Sequence, residues 1–497
     1  MKQTVILVFL AASVLTAQNF HPDIPRTWDA RALADLQLPL ANADASPQLV
    51  DPDTYYSIPA APIYKSYSVY HPDKEPPGYL DWLGRQEPAI VVPAAELSEQ
   101  LETKADWIRT GKLIFDTQLP PFVPLELLAY LRDPQFYEDS RTPLTRDGVM
   151  PFLRYVVREK GRVEVSGGCS MCHTRVLPDG TTITGAQGNN TLGAQNAYIL
   201  RNAILKAPNP TAVLARIAVL NPAIWLAPWL EQDPNARIAQ LPPGSQPAVW
   251  ESMPPGVIPR HSGLVYPAAI PDLIGLKDRR YFDRTSFIQH RSIGDLMRYA
   301  TLVQGIDRLE TFGKYVPARV EPSRLVRYSD EQLYALALYL YSLEPPASPY
   351  LDDPRAEAGR VVFEKQGCAG CHTPPLYTNN SLTPAAGFAV PDGHERKYNV
   401  QAVVVGTDPG LALKTRRGTG YYKVPSLKGV WYRGPLGHNG SVSTLEDWFD
   451  PIRLRDDYTP TGFKGYGITH RSVPGHEFGL DLPTEDKAAL IAFLRTL

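Results

Sequence analysis

Apolar residues recur at helical spacing near residue 340 and again at the end of the chain. Leu333, Leu336, Ala337, Leu340 and Leu343 share one face of a 3.6-residue period, as do Leu490, Phe493, Leu494 and Leu497. The first run starts at Ser329 with Gln332 three residues on, the spacing of a capping box. The second follows Pro483-Thr484 and carries Glu485 and Asp486 in its first turn, where the helix dipole favours acids. Both are predicted as amphipathic helices, with Pro345-Pro346 stopping the first and marking an inter-domain link. Far upstream of each, Gly111-Lys-Leu-Ile-Phe115 and Gly359-Arg-Val-Val-Phe363 predict opening helices. Their glycines would let another helix approach closely, the closing helix of the same unit being the obvious partner.

Two more segments pair up in the same order. Cys169-Ser-Met-Cys-His-Thr174 recurs as Cys368-Ala-Gly-Cys-His-Thr373, and Pro271-Asp-Leu-Ile-Gly-Leu276 recurs as Pro425-Ser-Leu-Lys-Gly-Val430. Four matches in one order imply a duplicated unit. Residues 18–100 differ: Asp51-Pro-Asp-Thr-Tyr-Tyr and Tyr70-His-Pro-Asp-Lys-Glu-Pro-Pro space prolines too densely for a regular helix. The expectation is an irregular Pro/Tyr-rich extension wrapped over the domain that follows; the sharper alternative is a docking surface for a redox partner.

A chain of 497 residues has room for two or three cores, and its formal net charge of -2, with no long Lys/Arg run, argues against nucleic acid or anionic membrane as partner. Residues 1–17 read as a secretory signal peptide, with an apolar run from Thr4 to Leu15 too short to span a bilayer. No Cys follows it to take a lipid anchor, and no later stretch is apolar enough for a membrane span. The expected location is periplasmic or secreted.

All four cysteines lie in the two Cys-x-x-Cys-His units. Two thiols at that spacing add to the two vinyl groups of one haem, and the adjacent His becomes the proximal iron ligand. A four-cysteine zinc site or redox-active cysteine pairs leave the His after each pair unexplained. Two covalently bound haem c groups are therefore expected, one on Cys169, Cys172 and His173, the other on Cys368, Cys371 and His372. The fold expected is mainly α, with two tandem cytochrome c-like haem domains at residues 101–347 and 348–497 after the extension.

The five methionines are Met1, Met150, Met171, Met253 and Met297, so none lies in the C-terminal unit, and a local sixth ligand there points to His. The candidates are His394, His438, His470 and His476. His476 lies in a loop just before the closing helix, able to reach back over its own haem, whereas His394 in Asp392-Gly-His-Glu reads as solvated surface. Aligning the closing helices puts Pro322 opposite His476, and no His, Met or Cys occurs between Arg298 and Gly367. The first iron is thus expected to keep an open position, with His261, His290, Met253, Met297 and Lys314 as the remaining possible ligands.

From about residue 105 onward the chain resembles the bacterial dihaem cytochrome c peroxidase superfamily. The resemblance is carried by Val424-Pro-Ser-Leu-Lys-Gly-Val-Trp-Tyr-Arg-Gly-Pro-Leu-Gly-His-Asn-Gly-Ser-Val-Ser-Thr-Leu-Glu446 after the second haem motif. Those peroxidases place a Met where His476 stands here. That departure, Gly475-His-Glu-Phe-Gly-Leu480 and the long insertion between the haem motifs look closer to the rubber oxygenase branch. The resemblance implies a reactive N-terminal haem on His173 and an electron-transfer haem on His372 and His476. It also implies a small oxidant, hydrogen peroxide or dioxygen, with an electron-donor protein or an apolar organic substrate as further partner.

The expected function is a haem-dependent oxidoreductase, with a plain electron-transfer cytochrome c as alternative and a maturation enzyme that oxidises another protein as a third reading. Trp225 and Trp229 are candidates for an aromatic bridge between the haems, against the plainer reading of core packing. No EF-hand-like calcium loop is readable.

Overall fold

The computed structural model describes residues 19–120, 122–220, 227, 229–230, 234–259, 263–315 and 321–497. The expected signal peptide, Trp225 and His261 lie outside them. Among the described residues no helix is long and apolar enough to cross a membrane.

Two helix pairs organise the chain. The opening helix α1 (Lys104–Asp116) packs on α2 (Asp330–Tyr341), and α3 (Ala356–Lys365) packs on α4 (Thr484–Thr496). The contacts are near copies. A Cβ on Gly111 would lie 2.0 Å from the Ala335 carbonyl oxygen, and one on Gly359 would lie 1.9 Å from that of Ala489. Phe115 meets Tyr339 at 5.4 Å and 63°, and Phe363 meets Phe493 at 5.3 Å and 61°. The glycine removes the one atom that would hold the backbones apart, and the aromatic one turn later closes the gap.

Capping fixes where these helices start. The Ser329 hydroxyl accepts from Gln332 N at 3.2 Å while Gln332 Oε1 accepts from Ser329 N at 2.9 Å. Thr103 and Asp106 form the same box on α1. Helix α2 departs from the expected one-sided pattern, since every residue from Gln332 to Leu340 is buried. The cause is the N-terminal segment, which covers the second side.

That segment packs over the domain that follows, and where an irregular extension is expected it carries short regular elements and completes the core. Its prolines break long helices and leave short ones, Ala30–Leu33, Pro52–Ser57, Tyr79–Gly84 and Leu97–Gln100. Trp28, Leu36, Tyr55, Ile58 and Ile63 are buried in the same cluster as Trp107, Phe115 and the α2 leucines. The acidic first turn of α2 is fastened to it: Thr27 Oγ1 donates to Asp330 at 2.6 Å, and Leu97 N donates to Glu331 at 2.9 Å.

The mainly α expectation also needs correction. A four-stranded antiparallel sheet of order β1-β3-β4-β2 is built from β1 (Ser66–Tyr70), β2 (Val123–Pro124), β3 (Val149–Glu159) and β4 (Arg162–Gly167). Strands β3 and β4 turn at Lys160-Gly161, where Gly161 takes φ +84°. The sheet separates α1 from the first Cys-x-x-Cys-His in sequence, yet β4 brings the chain back: a Cβ on Gly168 would meet the Phe115 carbonyl oxygen at 2.7 Å. Cys169 thus reaches the end of its opening helix, as Cys368 does directly after α3.

Gly359→Ala should destabilise the protein by several kcal/mol, as overpacking that backbone cannot relieve. Gly84→Ala, on a helical glycine with nothing within 4 Å, should be neutral or slightly stabilising. Thermal unfolding of the two variants measures the contrast.

Candidate haem sites

The second site grows out of α3. Gly367, at φ +71°, turns the chain into the Cys368–Gly370 turn, and His372 follows with its ring buried. Its Nδ1 faces the Tyr377 carbonyl at 3.2 Å, and the Pro425 carbonyl also favours a proton on the ring. Those acceptors put the proton on Nδ1 and leave Nε2 with the lone pair a metal needs. Burial holds the ring neutral by depressing its basicity.

His476 comes to the same place from the loop ahead of α4. Gly475 and His476 adopt φ +82° and +49°, and a Cβ on Gly475 would lie 2.3 Å from Thr407 N. A left-handed conformation is costly for a histidine, so the surroundings must hold it. Arg453, fully buried, does so: its guanidinium donates to the carbonyls of Trp448 at 2.8 Å, Val473 at 2.6 Å, and Gly475 and His476 at 2.9 Å each. Trp448 Nε1 lies 3.3 Å from His476 Nδ1 and fixes the position of the ring. Burial pushes this imidazole down to about 4, with His372 adding to the effect.

The His372 and His476 ring centroids are 6.3 Å apart. A metal ion about 2 Å from one nitrogen of each of two imidazoles separates the centroids by roughly 6 Å, so the gap suits a shared iron. Cys368, Cys371 and both histidines line a cavity of about 330 Å³ with Phe363 and Leu494 in its wall. The residues present suit a haem.

The first site is built on the same plan. Cys169 packs against the large core cluster, accepts from Gln304 Nε2 at 3.4 Å, and has its thiol pushed up to about 12 by burial. Burial pushes His173 down to about 4; its Nδ1 is buried without a hydrogen bond, although the Pro271 carbonyl lies where it favours a proton on the ring. Pro271 thus stands to His173 as Pro425 stands to His372, the relation the duplicated segments describe.

The other candidates go elsewhere. His394 Nδ1 meets the Tyr421 hydroxyl at 2.8 Å and His470 Nδ1 meets Thr459 Oγ1 at 2.9 Å. His438 is stacked on Tyr422 at 4.3 Å and lines the cavity with Nε2 unpartnered. His290 is engaged at both nitrogens, by the Arg279 carbonyl and the Tyr341 hydroxyl, and Lys314 pairs with Asp44 at the surface. Met253 belongs to a separate cluster, whereas Met297 is buried in the cluster against which Cys169 packs. Pro322 stands eight residues before α2 as His476 stands eight before α4. Trp229 packs on Phe312 and Tyr315, as core packing requires. Among the described residues no three His, Cys, Asp or Glu side chains converge to hold a metal ion.

Sequence reading missed Arg453, which sits in Pro451-Ile-Arg-Leu with nothing local to mark it. It also missed that the repeat extends to arginine. Arg279 donates to the carbonyls of Asp272 and Ile274, and Arg433 donates to those of Ser426 and Lys428, the same two offsets back along each copy.

No protein-family model matches this chain, and no curated protein matches it in sequence. Among solved structures, the chain is similar to hydrazine synthase of Kuenenia stuttgartiensis pressurised with xenon. The identity is 15% and the TM-score 0.30, over 57% of this chain and 88% of that one. It is also similar to a MauG-like protein associated with microbial copper homeostasis, at 21% identity and a TM-score of 0.22 over 34% of this chain. This chain spans 56% of that protein.

Burial pushes His438 down to about 4, whereas an unfolded His titrates near about 6.5. Between these values the unfolded chain takes up a proton that the folded ring refuses, so this contribution to stability is intact above about pH 6.5 and lost toward pH 4. His438→Gln should flatten the pH dependence of the denaturation midpoint there, by up to about 1.4 kcal/mol per pH unit. An unchanged slope would assign the dependence to other groups.

Proposed function

We propose that the chain is an exported dihaem c-type oxidoreductase. In this reading the haem on Cys169, Cys172 and His173 meets a small oxidant, peroxide or dioxygen, and the haem on Cys368, Cys371, His372 and His476 carries electrons. The observation that carries it is the 6.3 Å pairing of His372 with His476 in a cavity that also holds both thiols. Haem bound there would supply one-electron chemistry. The chain's own part is to present two neutral imidazoles, orient one through the Pro425 and Tyr377 carbonyls, and hold the other through Arg453.

The asymmetry between the halves supports a division of labour. The position matching His476 is Pro322, which cannot ligate iron, and His290 and Lys314 are occupied elsewhere. The motif running from Val424 to Glu446 resembles that of the dihaem peroxidase superfamily, and His476 in place of Met favours its rubber oxygenase branch. An apolar organic substrate then joins dioxygen as the finer reading.

Pyridine haemochrome should report two c-type haems per chain, and Cys368→Ala with Cys371→Ala should leave one. Resting electron paramagnetic resonance should show one high-spin and one low-spin ferric haem, with carbon monoxide after reduction binding only the former. His476→Ala should turn the low-spin signal high-spin, while His394→Ala and His470→Ala should not. Two six-coordinate haems, inert to carbon monoxide and cyanide, would make the plain electron carrier the better account.

A further inference from the structure

The duplicated segments bring four cations together where the two sites adjoin. Arg279, Arg284, Lys423 and Arg433 all line the cavity that holds His372 and His476. Arg279 acts electrostatically on His173 and Arg433 on His372, so the group reaches toward both histidines. The four also repel one another. Arg433 and Arg279 depress Arg284, and Arg279 and Arg284 depress Lys423, in each case adding to desolvation.

Their anions are too few. Asp272 and Asp283 are the nearby shielded carboxylates, Asp278 beside Arg279 being exposed to solvent, and Asp283 is shared with Arg417 at 3.6 Å. Arg433 reaches Asp272 only at 3.6 Å, and its Nε has no hydrogen-bond partner. Among the described residues no carboxylate comes within ion-pair distance of Arg279, Arg284 or Lys423; their bonds go to backbone carbonyls, as Arg284 to Ala269 and Ile270 at 2.8 Å and Lys423 to Tyr281 at 3.3 Å. Four positive charges thus face two negative ones in a desolvated space, where unpaired charge is expensive. The deficit is two negative charges, at the edge of a cavity suited to a group that carries two carboxylates.

We propose that Arg279, Arg284, Lys423 and Arg433 are the binding site for the two propionate carboxylates of the haem held by His372 and His476. This rests on the haem reading above. The positive cluster does more than neutralise the carboxylates. Each cation of the cluster favours the ferrous state of a haem held beside it, so removing one should lower that haem's potential. Lys423 is the informative member, because it comes from the strand Tyr421–Lys423, makes only the one bond to Tyr281, and can be replaced without severing a network.

The test is spectroelectrochemical titration of Lys423→Met and Lys423→Gln, the second variant covering the case in which the first fails to fold. Each should keep two haems by pyridine haemochrome, because the thioethers hold them. At a fixed potential the ferrous-to-ferric ratio of the low-spin haem should fall about tenfold, 59 mV for a one-electron couple. Lys423→Arg should stay within about twofold of the parent. If both neutral variants carry two haems and their low-spin potential does not move, the propionate assignment is wrong while the haem reading stands. If the parent protein carries no haem on Cys368 and Cys371, both fall.

Discussion

The structure depends on how closely two helices cross. At Gly111 and at Gly359 the opening helix lies so near the closing helix that a Cβ would sit 2.0 or 1.9 Å from a carbonyl oxygen. That approach sets the height of the aromatic pair one turn on and the point from which each Cys-x-x-Cys-His leaves. It also sets where the loop before each closing helix can reach. In the second half the loop delivers His476 to His372; in the first the same position holds a proline.

Local signals carried a good part of this. The start of α2 was legible because a capping box needs only Ser329 and Gln332, and the helix crossing because glycine followed by Phe at i+4 is a contact pattern. The sheet was hidden because its strands lie on both sides of α1 in sequence and one of them falls in the proline-rich segment. Arg453 and the cation cluster were hidden for a different reason. Nothing in Pro451-Ile-Arg-Leu or in Tyr421-Tyr-Lys marks a buried charge; the requirement arises only when distant segments meet.

Polar groups in the two sites follow one pattern, in which a buried charge or ring is held by backbone carbonyls more than by carboxylates. Arg453 is bonded to four carbonyls, Arg279 and Arg433 to two each, and the two proximal histidines face those of Pro271 and Pro425. Carbonyls fix direction without cancelling charge. Such groups keep more of their charge than they would beside a carboxylate partner.

The packing around Cys169 has a consequence for assembly. Cys169, itself partly covered, packs against a core that is completed from both ends of the half, by Trp28 and Tyr55 at one and by α2 at the other. Thr27 is bonded to Asp330 across 303 positions of chain, so that closure waits on a long loop. In the haem reading proposed above, a large planar group is fastened to a sulfur whose surroundings close only with that loop. On that reading, cofactor attachment competes with the final collapse of the first half. The second half, whose helices α3 and α4 lie within a single shorter stretch, closes around Cys368 and Cys371 without so long a loop.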